Sequence, residues 1–424
     1  MTVMKINFFE VDYKKISLVN GVKLYAFYKP NCPIYFRVYF YAGSQYDEDK
    51  PGLAHFCEHM MISGTEKYPT KALLNEKIQE IGARSNAFTN RKNLWLTIDL
   101  ADKTDLSEMF EIVDQTLNKS IFAPDIIEKE RGAILAEQTR TTSNPSQNIY
   151  NLQSVLLFQG TNIENPITGF DESVKTITRE NLINYRDKYL TNGQVAYFIS
   201  GDFDEKIVID SINKINNLRR PIECAKVKLP IITDKKELFK KTLNPEQNYL
   251  SLSTRITPIG DKIGMVSGDL LNHIFGRGIT SRLFRTLRYD RGLVYGVESN
   301  VFYNSEWTSF SVNTNCRVKD TQEVVKIIKE EFTKIIKKGI NDDELERAKK
   351  NILRNLRFES ETANFWVNIS IMKELTDQLD PILLDEYINI LKLITVEDVN
   401  LFIKKYLAGK EFLLAGIGGF DLTK

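Results

Sequence analysis

The chain has 424 residues, 42% of them apolar and 27% charged, with a formal net charge of +1. That is too long for one compact core, and the balance excludes both a disordered chain and a strongly cationic binder of nucleic acid or anionic membranes. No apolar run approaches the ~20 residues of a membrane span, residues 1–10 lack the blocks of a secretory leader, and Cys32, Cys57, Cys224 and Cys316 form no Cys-x-x-Cys pair, so free thiols in the cytoplasm are expected.

Taken in chain order, Ile34–Phe40 is rich in aromatic and β-branched residues and reads as a strand. Leu94–Leu100 reads as another strand, and Pro124–Glu137 as an amphipathic helix that starts with an acid. Thr178 looks like a helix N-cap; that helix should end near Tyr189-Leu190, ahead of an apolar strand at Val195–Ser200. Residues 216–236 hold Pro221 and Pro230 and read as a linker. The same succession then recurs. Strands are expected at Tyr249–Thr254 and Phe310–Asn313, a helix at Asp342–Asn355, an N-cap at Thr395 and a strand at Phe412–Ile417.

The recurrence is an internal duplication. Thr178-Arg179-Glu180-Asn181-Leu182 meets Thr395-Val396-Glu397-Asp398-Val399 at an offset of 217, and at the same offset Lys188-Tyr189-Leu190 meets Lys405-Tyr406-Leu407. The order of strands and helices predicts an α+β fold in two homologous domains, each a mainly antiparallel sheet packed with helices. The expected spans are 1–215 and 237–424, joined by 216–236, with a cleft between domains as the place for a substrate.

Two of the three histidines lie in His55-Phe56-Cys57-Glu58-His59, a pattern expected by chance on the order of 0.001 times in such a chain. On a helix, residues four apart share a face, so both imidazoles reach one metal ion. Glu58 lies about 60° around and can take a proton from a water whose pKa a zinc ion has lowered to about 7. A catalytic zinc wants a third protein ligand. Glu130 and Glu137, seven apart and so two helical turns apart on one face, are the candidates, and spacing does not choose between them.

These residues resemble the inverted-zincin peptidases of the pitrilysin family, M16, over the whole chain. Gly52-Leu53-Ala54-His55-Phe56-Cys57-Glu58-His59-Met60 with Gly64-Thr65 is similar to the family's metal helix and its exit. The resemblance implies that Glu137 is the third ligand, Glu130 a supporting catalytic residue and Glu58 the general base. Ser85-Asn86-Ala87-Phe88-Thr89 resembles the family's edge strand, implying that Asn86, Ala87 and Phe88 hold an extended peptide. Arg91-Lys92-Asn93-Leu94-Trp95 departs from the acid-x-Thr-x-Tyr that often follows. Leu287–Tyr295 resembles the family's second-domain segment, implying that Arg288 and Tyr295 bind the substrate main chain. At an offset of 218 the motif becomes His273, Gly276 and Arg277, so the second copy should carry no metal and the chain one zinc.

The expected function is zinc-dependent endoproteolysis of peptides or unfolded segments inside a chamber that this two-domain chain completes by homodimerising. A dedicated leader-processing peptidase and a non-catalytic peptide-binding subunit of a heterodimer are the alternatives. A non-peptidase metal lyase or hydrolase acting on a small molecule is a third class, which the edge-strand motif and the duplication argue against. Nothing points to nucleic acid or a membrane as partner.

Overall fold

The computed structural model describes residues 3–6, 11–216, 229, 235–242, 245–304, 306–374, 384–420 and 422. Apart from Asn216, Leu229, Lys235 and Lys236, the expected linker 216–236 lies outside the described residues, as does Cys224. Two compact units form. The first takes the described residues of Met1–Arg140, Asn165–Val227 and Glu359–Met372; the second takes those of Thr141–Glu164, Lys228–Phe358 and Lys373–Lys424.

The first unit holds a seven-stranded sheet of β1 (Val3–Ile6), β2 (Val11–Ser17), β3 (Lys23–Tyr28), β4 (Ile34–Phe40), β5 (Ala83–Thr89), β6 (Leu94–Leu100) and β7 (Val195–Gly201). Its order is β1-β2-β3-β7-β4-β6-β5, with β3 and β7 parallel and every other pair antiparallel. The second unit holds β8 (Glu237–Lys241), β9 (Gln247–Ile256), β10 (Val294–Tyr303), β11 (Thr308–Arg317) and β12 (Leu413–Gly418), in the order β10-β11-β9-β12-β8. Here β8 and β12 are parallel and the rest antiparallel. The two orders superimpose strand for strand, β3 on β8, β7 on β12, β4 on β9, β6 on β11 and β5 on β10. The duplication is thus a duplication of topology. Gly82 and Gly292 enter the equivalent strands β5 and β10 with φ of 63° and 60°, a left-handed turn that favours glycine in both.

Alternation along the strands gives the first sheet two apolar faces. Leu24, Phe36, Val38, Phe40, Leu96, Ile98, Tyr197 and Ile199 face the main helical core, against Met109, Val113, Leu182 and Ile212. The opposite face carries an aromatic row in which neighbouring rings lie 4.9–6.4 Å apart: Tyr13, Tyr25, Phe198, Tyr39, Trp95 and Phe88. Helix Ala363–Glu374 covers part of that face. Ser200 Oγ donates to Ala363 O at 2.5 Å, Arg37 Nη2 to Asn364 Oδ1 at 2.9 Å, and the fully buried Trp366 ring lies 6.0 Å from Phe27. In the second unit, helix Pro145–Leu157 plays a comparable part. Arg255 Nη1 on β9 donates to Leu157 O at 3.2 Å, and Phe158 packs on Trp307 at 4.5 Å. Each half of the chain therefore lends one helix to the other unit, whereas the spans 1–215 and 237–424 are contiguous. The reason is physical: a two-faced apolar sheet needs cover on both sides, and its own half covers one.

Thr178 and Thr395 are N-caps, each accepting from the backbone N–H three residues on, Asn181 and Asp398. Among the described residues no helix is long and apolar enough to cross a membrane.

Candidate metal centre

The motif forms helix Leu53–Met61. Its entry is held by Asp47, only 2% exposed, whose carboxylate accepts from Gly52 N at 2.7 Å and Ala54 N at 2.8 Å. An acid here satisfies otherwise orphaned N–H groups and opposes the positive end of the helix dipole. Gly52 has φ of 96°, and a Cβ there would stand 2.8 Å from Thr168 O, so the close crossing of residues 51–52 and 168–169 requires glycine. Asp47→Ala should lower unfolding stability by about 2 kcal/mol and weaken metal binding together, read by urea denaturation and metal titration. Loss of neither would remove Asp47 from the helix entry.

One helix brings both carboxylates in. Helix Pro124–Ser143 buries Ile127, Glu130, Ile134 and Gln138, a stripe at helical spacing that faces the motif helix, with Glu137 beside Ile134 and Gln138 on its flank. Arg131 fastens this helix: its guanidinium lies over the Phe56 ring at 5.2 Å and donates to the carbonyls of Val174 and Ile177.

The result is a convergent donor set. His55 Nε2 and His59 Nε2 each lie 3.6 Å from Glu137 Oε2. That is too long for a hydrogen bond, but it is close to the roughly 3.4 Å edge of a tetrahedron of ligands at about 2.1 Å from a zinc ion. One ligand atom each from His55, Glu58 and His59 also falls within 4.8 Å of the others. His59 Nδ1 lies 2.8 Å from Glu130 Oε2, and Ser63 Oγ lies 2.9 Å from Glu130 Oε1 and 2.7 Å from His59 O. A proton on Nδ1 toward Glu130 leaves Nε2 as the ligating nitrogen, the usual way a carboxylate orients a metal-binding imidazole. His55 Nδ1 is buried without a protein partner. Glu58 is 8% exposed, and Thr89 Oγ1 on β5 donates to its Oε2 at 2.8 Å.

The electrostatics fit a cation. Burial, reinforced by His59, takes the His55 pKa down to about 4. Burial also lowers His59, but the hydrogen bond to Glu130 and the nearby Glu137 carboxylate outweigh this and raise it to about 9. Burial raises Glu130, and His59, Lys71 and Ser63 more than offset it, leaving about 2. The His59 ring holds Glu137 below the ordinary carboxylate range against burial. Burial pushes Glu58 up, and the Thr89 hydroxyl pulls the other way. Two lowered carboxylates beside a raised imidazole carry excess negative charge, which a divalent ion neutralises. The residues present therefore fit a zinc ion.

A model described as insulinase, peptidase family M16, matches residues 29–170, and one described as the M16 inactive domain matches residues 176–352. The chain belongs to peptidase family M16. This M16 chain is 28% identical, over 75% of its length and 76% of the other's, to an uncharacterized zinc protease of Rickettsia felis. It is 24% identical to an uncharacterized zinc protease of Bacillus subtilis, over 91% and 94% of the two lengths. In fold it is similar to a structure described as a peptidase M16 inactive domain from Pseudomonas fluorescens, with a TM-score of 0.83 at 20% identity over 97% and 99% of the two chains.

At the offset of 218 the second half carries His273, Gly276 and Arg277. His273 lies near the end of helix Lys262–Phe275, and burial, with Arg277 nearby, lowers its pKa to about 4. Gly276, which the offset matches to Glu58, caps the end of that helix, and a Cβ there would come within 2.7 Å of Ser299 on β10. A side chain at Gly276 of the M16 chain would require Ser299 to shift.

Of the other expected residues, Asn86, Ala87 and Phe88 lie on β5, which among the described residues pairs only with β6 and is a sheet edge. Asn86 Oδ1 accepts from Ala87 N at 3.0 Å, and Phe88 is 41% exposed. Arg288 and Tyr295 are neighbours in the second unit, the guanidinium 5.1 Å from the ring centroid, with Tyr295 83% exposed. Asp47, Ser63, Lys71 and Arg131 went unassigned by sequence reasoning. Ser63, Lys71 and Arg131 act through contacts with residues distant in the chain, whereas Asp47, a lone acid ahead of a Pro-Gly and a helix, holds residues five and seven positions on and has a local signal.

Proposed function

We propose that the chain is a zinc-dependent endopeptidase acting on peptides and unfolded segments. One observation carries the reading: Nε2 of His55 and Nε2 of His59 each lie 3.6 Å from Oε2 of Glu137, close to the edge of a tetrahedral ligand set, and the Glu58 carboxylate lies within 4.8 Å of both histidines. His55, His59 and Glu137 would hold one zinc ion per chain. Bound there, zinc would act as a Lewis acid on the scissile carbonyl and the attacking water. Glu58 accepts the proton of that water and returns it to the leaving amine. Glu130 keeps its carboxylate on His59 Nδ1 and so sets the tautomer and angle of that ring. The β5 edge, with Asn86, Ala87 and Phe88, takes the peptide as an added strand, where main-chain bonds give affinity with little sequence demand. Arg288 and Tyr295 supply donors to the substrate main chain. The working form is a homodimer. The free thiols of Cys32, Cys57 and Cys316 suit a reducing, cytoplasmic compartment.

A peptide-binding subunit without activity is the rival reading, and the description of the Pseudomonas fluorescens structure as an inactive domain favours it. Against it stands the full donor set with its base. Purified protein incubated with a mixed peptide pool, read by mass spectrometry, should give cuts that a chelator abolishes. Bound peptide without any cut, in protein shown to contain zinc, would favour the rival.

A further inference from the structure

We propose that Thr89 is the positioning residue of Glu58: its hydroxyl fixes the base's carboxylate to the strand that takes the substrate. The inference rests on the peptidase reading above. Along β5, Ala83 and Ala87 are buried while Arg84, Asn86 and Phe88 are exposed, so odd-numbered residues face the motif helix. Small side chains at those positions let the helix approach the strand closely. Thr89 continues the same face, and there its Oγ1 donates to Glu58 Oε2 at 2.8 Å. This occupies one carboxylate oxygen and leaves Oε1 free as the proton acceptor. Glu58 has two rotatable bonds beyond Cβ and, among the described residues, no other side-chain hydrogen bond, so this one donor decides where the free oxygen points.

The second copy supplies an independent observation. At the offset of 210 that relates Gly82 to Gly292, Thr89 corresponds to Ser299, and at the offset of 218 Glu58 corresponds to Gly276. Ser299 Oγ is the atom that a Cβ on Gly276 would meet at 2.7 Å. Helix position and strand hydroxyl thus face each other in both halves. Where the carboxylate is gone, the hydroxyl is retained and turns to Asn272, 2.6 Å from Oδ1 and 3.1 Å from the main-chain oxygen.

The consequence is mechanical. A peptide added to β5 is held by the strand that also holds the base, so docking and base alignment share one element. Losing the hydroxyl leaves the strand's main chain intact. Turnover should suffer while peptide affinity does not.

Thr89→Val is isosteric and suits a strand; Thr89→Ser restores the donor. On a peptide that the wild type cuts, Thr89→Val should lower kcat by about 10- to 100-fold, a part of the ~10²–10⁴ that a positioned base contributes, with KM within about twofold. Thr89→Ser should stay within about threefold of wild type, and both variants should bind as much zinc as wild type. Crystal structures of metal-free wild type and Thr89→Val should show the Glu58 carboxylate leaving its place only in the variant. Full kcat in Thr89→Val, an equal loss in Thr89→Ser, or an unmoved Glu58 in the variant crystal would each overturn the proposal. If the wild type cuts no peptide, the peptidase reading falls, and the pair of crystal structures alone decides whether Thr89 orients Glu58.

Discussion

Glu58→Gln should leave zinc bound at wild-type stoichiometry and lower kcat by at least ~100-fold, and up to the ~10⁴ that general-base catalysis supplies. The amide keeps the size of the side chain and can still accept from Thr89 Oγ1, now 2.8 Å from Glu58 Oε2, so the helix and its two histidines should stay in place. What is lost is a group able to take a proton. Peptide affinity, measured on the inactive variant, should be close to the wild-type KM if KM reports binding. Metal analysis and single-turnover kinetics make the check. Retained turnover with zinc in place would remove Glu58 from the role of base.

Glu137→Gln and Glu130→Gln should separate a ligand from a carboxylate that orients one. Glu137 Oε2 faces both Nε2 atoms at 3.6 Å, whereas Glu130 Oε2 lies 2.8 Å from His59 Nδ1 on the other side of the ring. Removing the Glu137 carboxylate would take away one of the three proposed ligands, so the purified variant should lose most of its zinc and, with it, measurable activity. Glu130→Gln keeps all three ligands and should weaken zinc affinity by roughly 10- to 100-fold, the usual cost of losing a carboxylate behind a ligating histidine. Excess zinc should therefore restore much of the activity of the second variant and little of the first. Equal zinc loss in both, or full zinc retention in Glu137→Gln, would reverse the assignment of the two acids.

Much of this was legible without coordinates because it is local or periodic. The motif needs only the helical spacing of His55 and His59. The strands at Ile34–Phe40 and Leu94–Leu100 fall where side-chain pattern places them. The two N-caps at Thr178 and Thr395 follow from hydroxyl chemistry at a helix start. The degeneracy of the second copy also followed from arithmetic on His273, Gly276 and Arg277. The close approach of Ser299 to Gly276, where a Cβ would meet it at 2.7 Å, did not.

Sequence by itself determined which residue types could make a metal centre, that the fold is a duplicated α+β unit, and that only the first copy keeps the motif. Periodicity and covalent spacing fix those facts. Tertiary structure decided the rest. Seven-residue spacing made Glu130 and Glu137 equal candidates, and only packing against the motif helix put one on Nδ1 and the other between the two Nε2 atoms. The exchange of helices Pro145–Leu157 and Ala363–Glu374 between units was also invisible, because an amphipathic stripe says that a face is buried and not which sheet buries it. The grip of Thr89 on Glu58 joins residues 31 positions apart, and such a contact exists only once strand and helix are laid together.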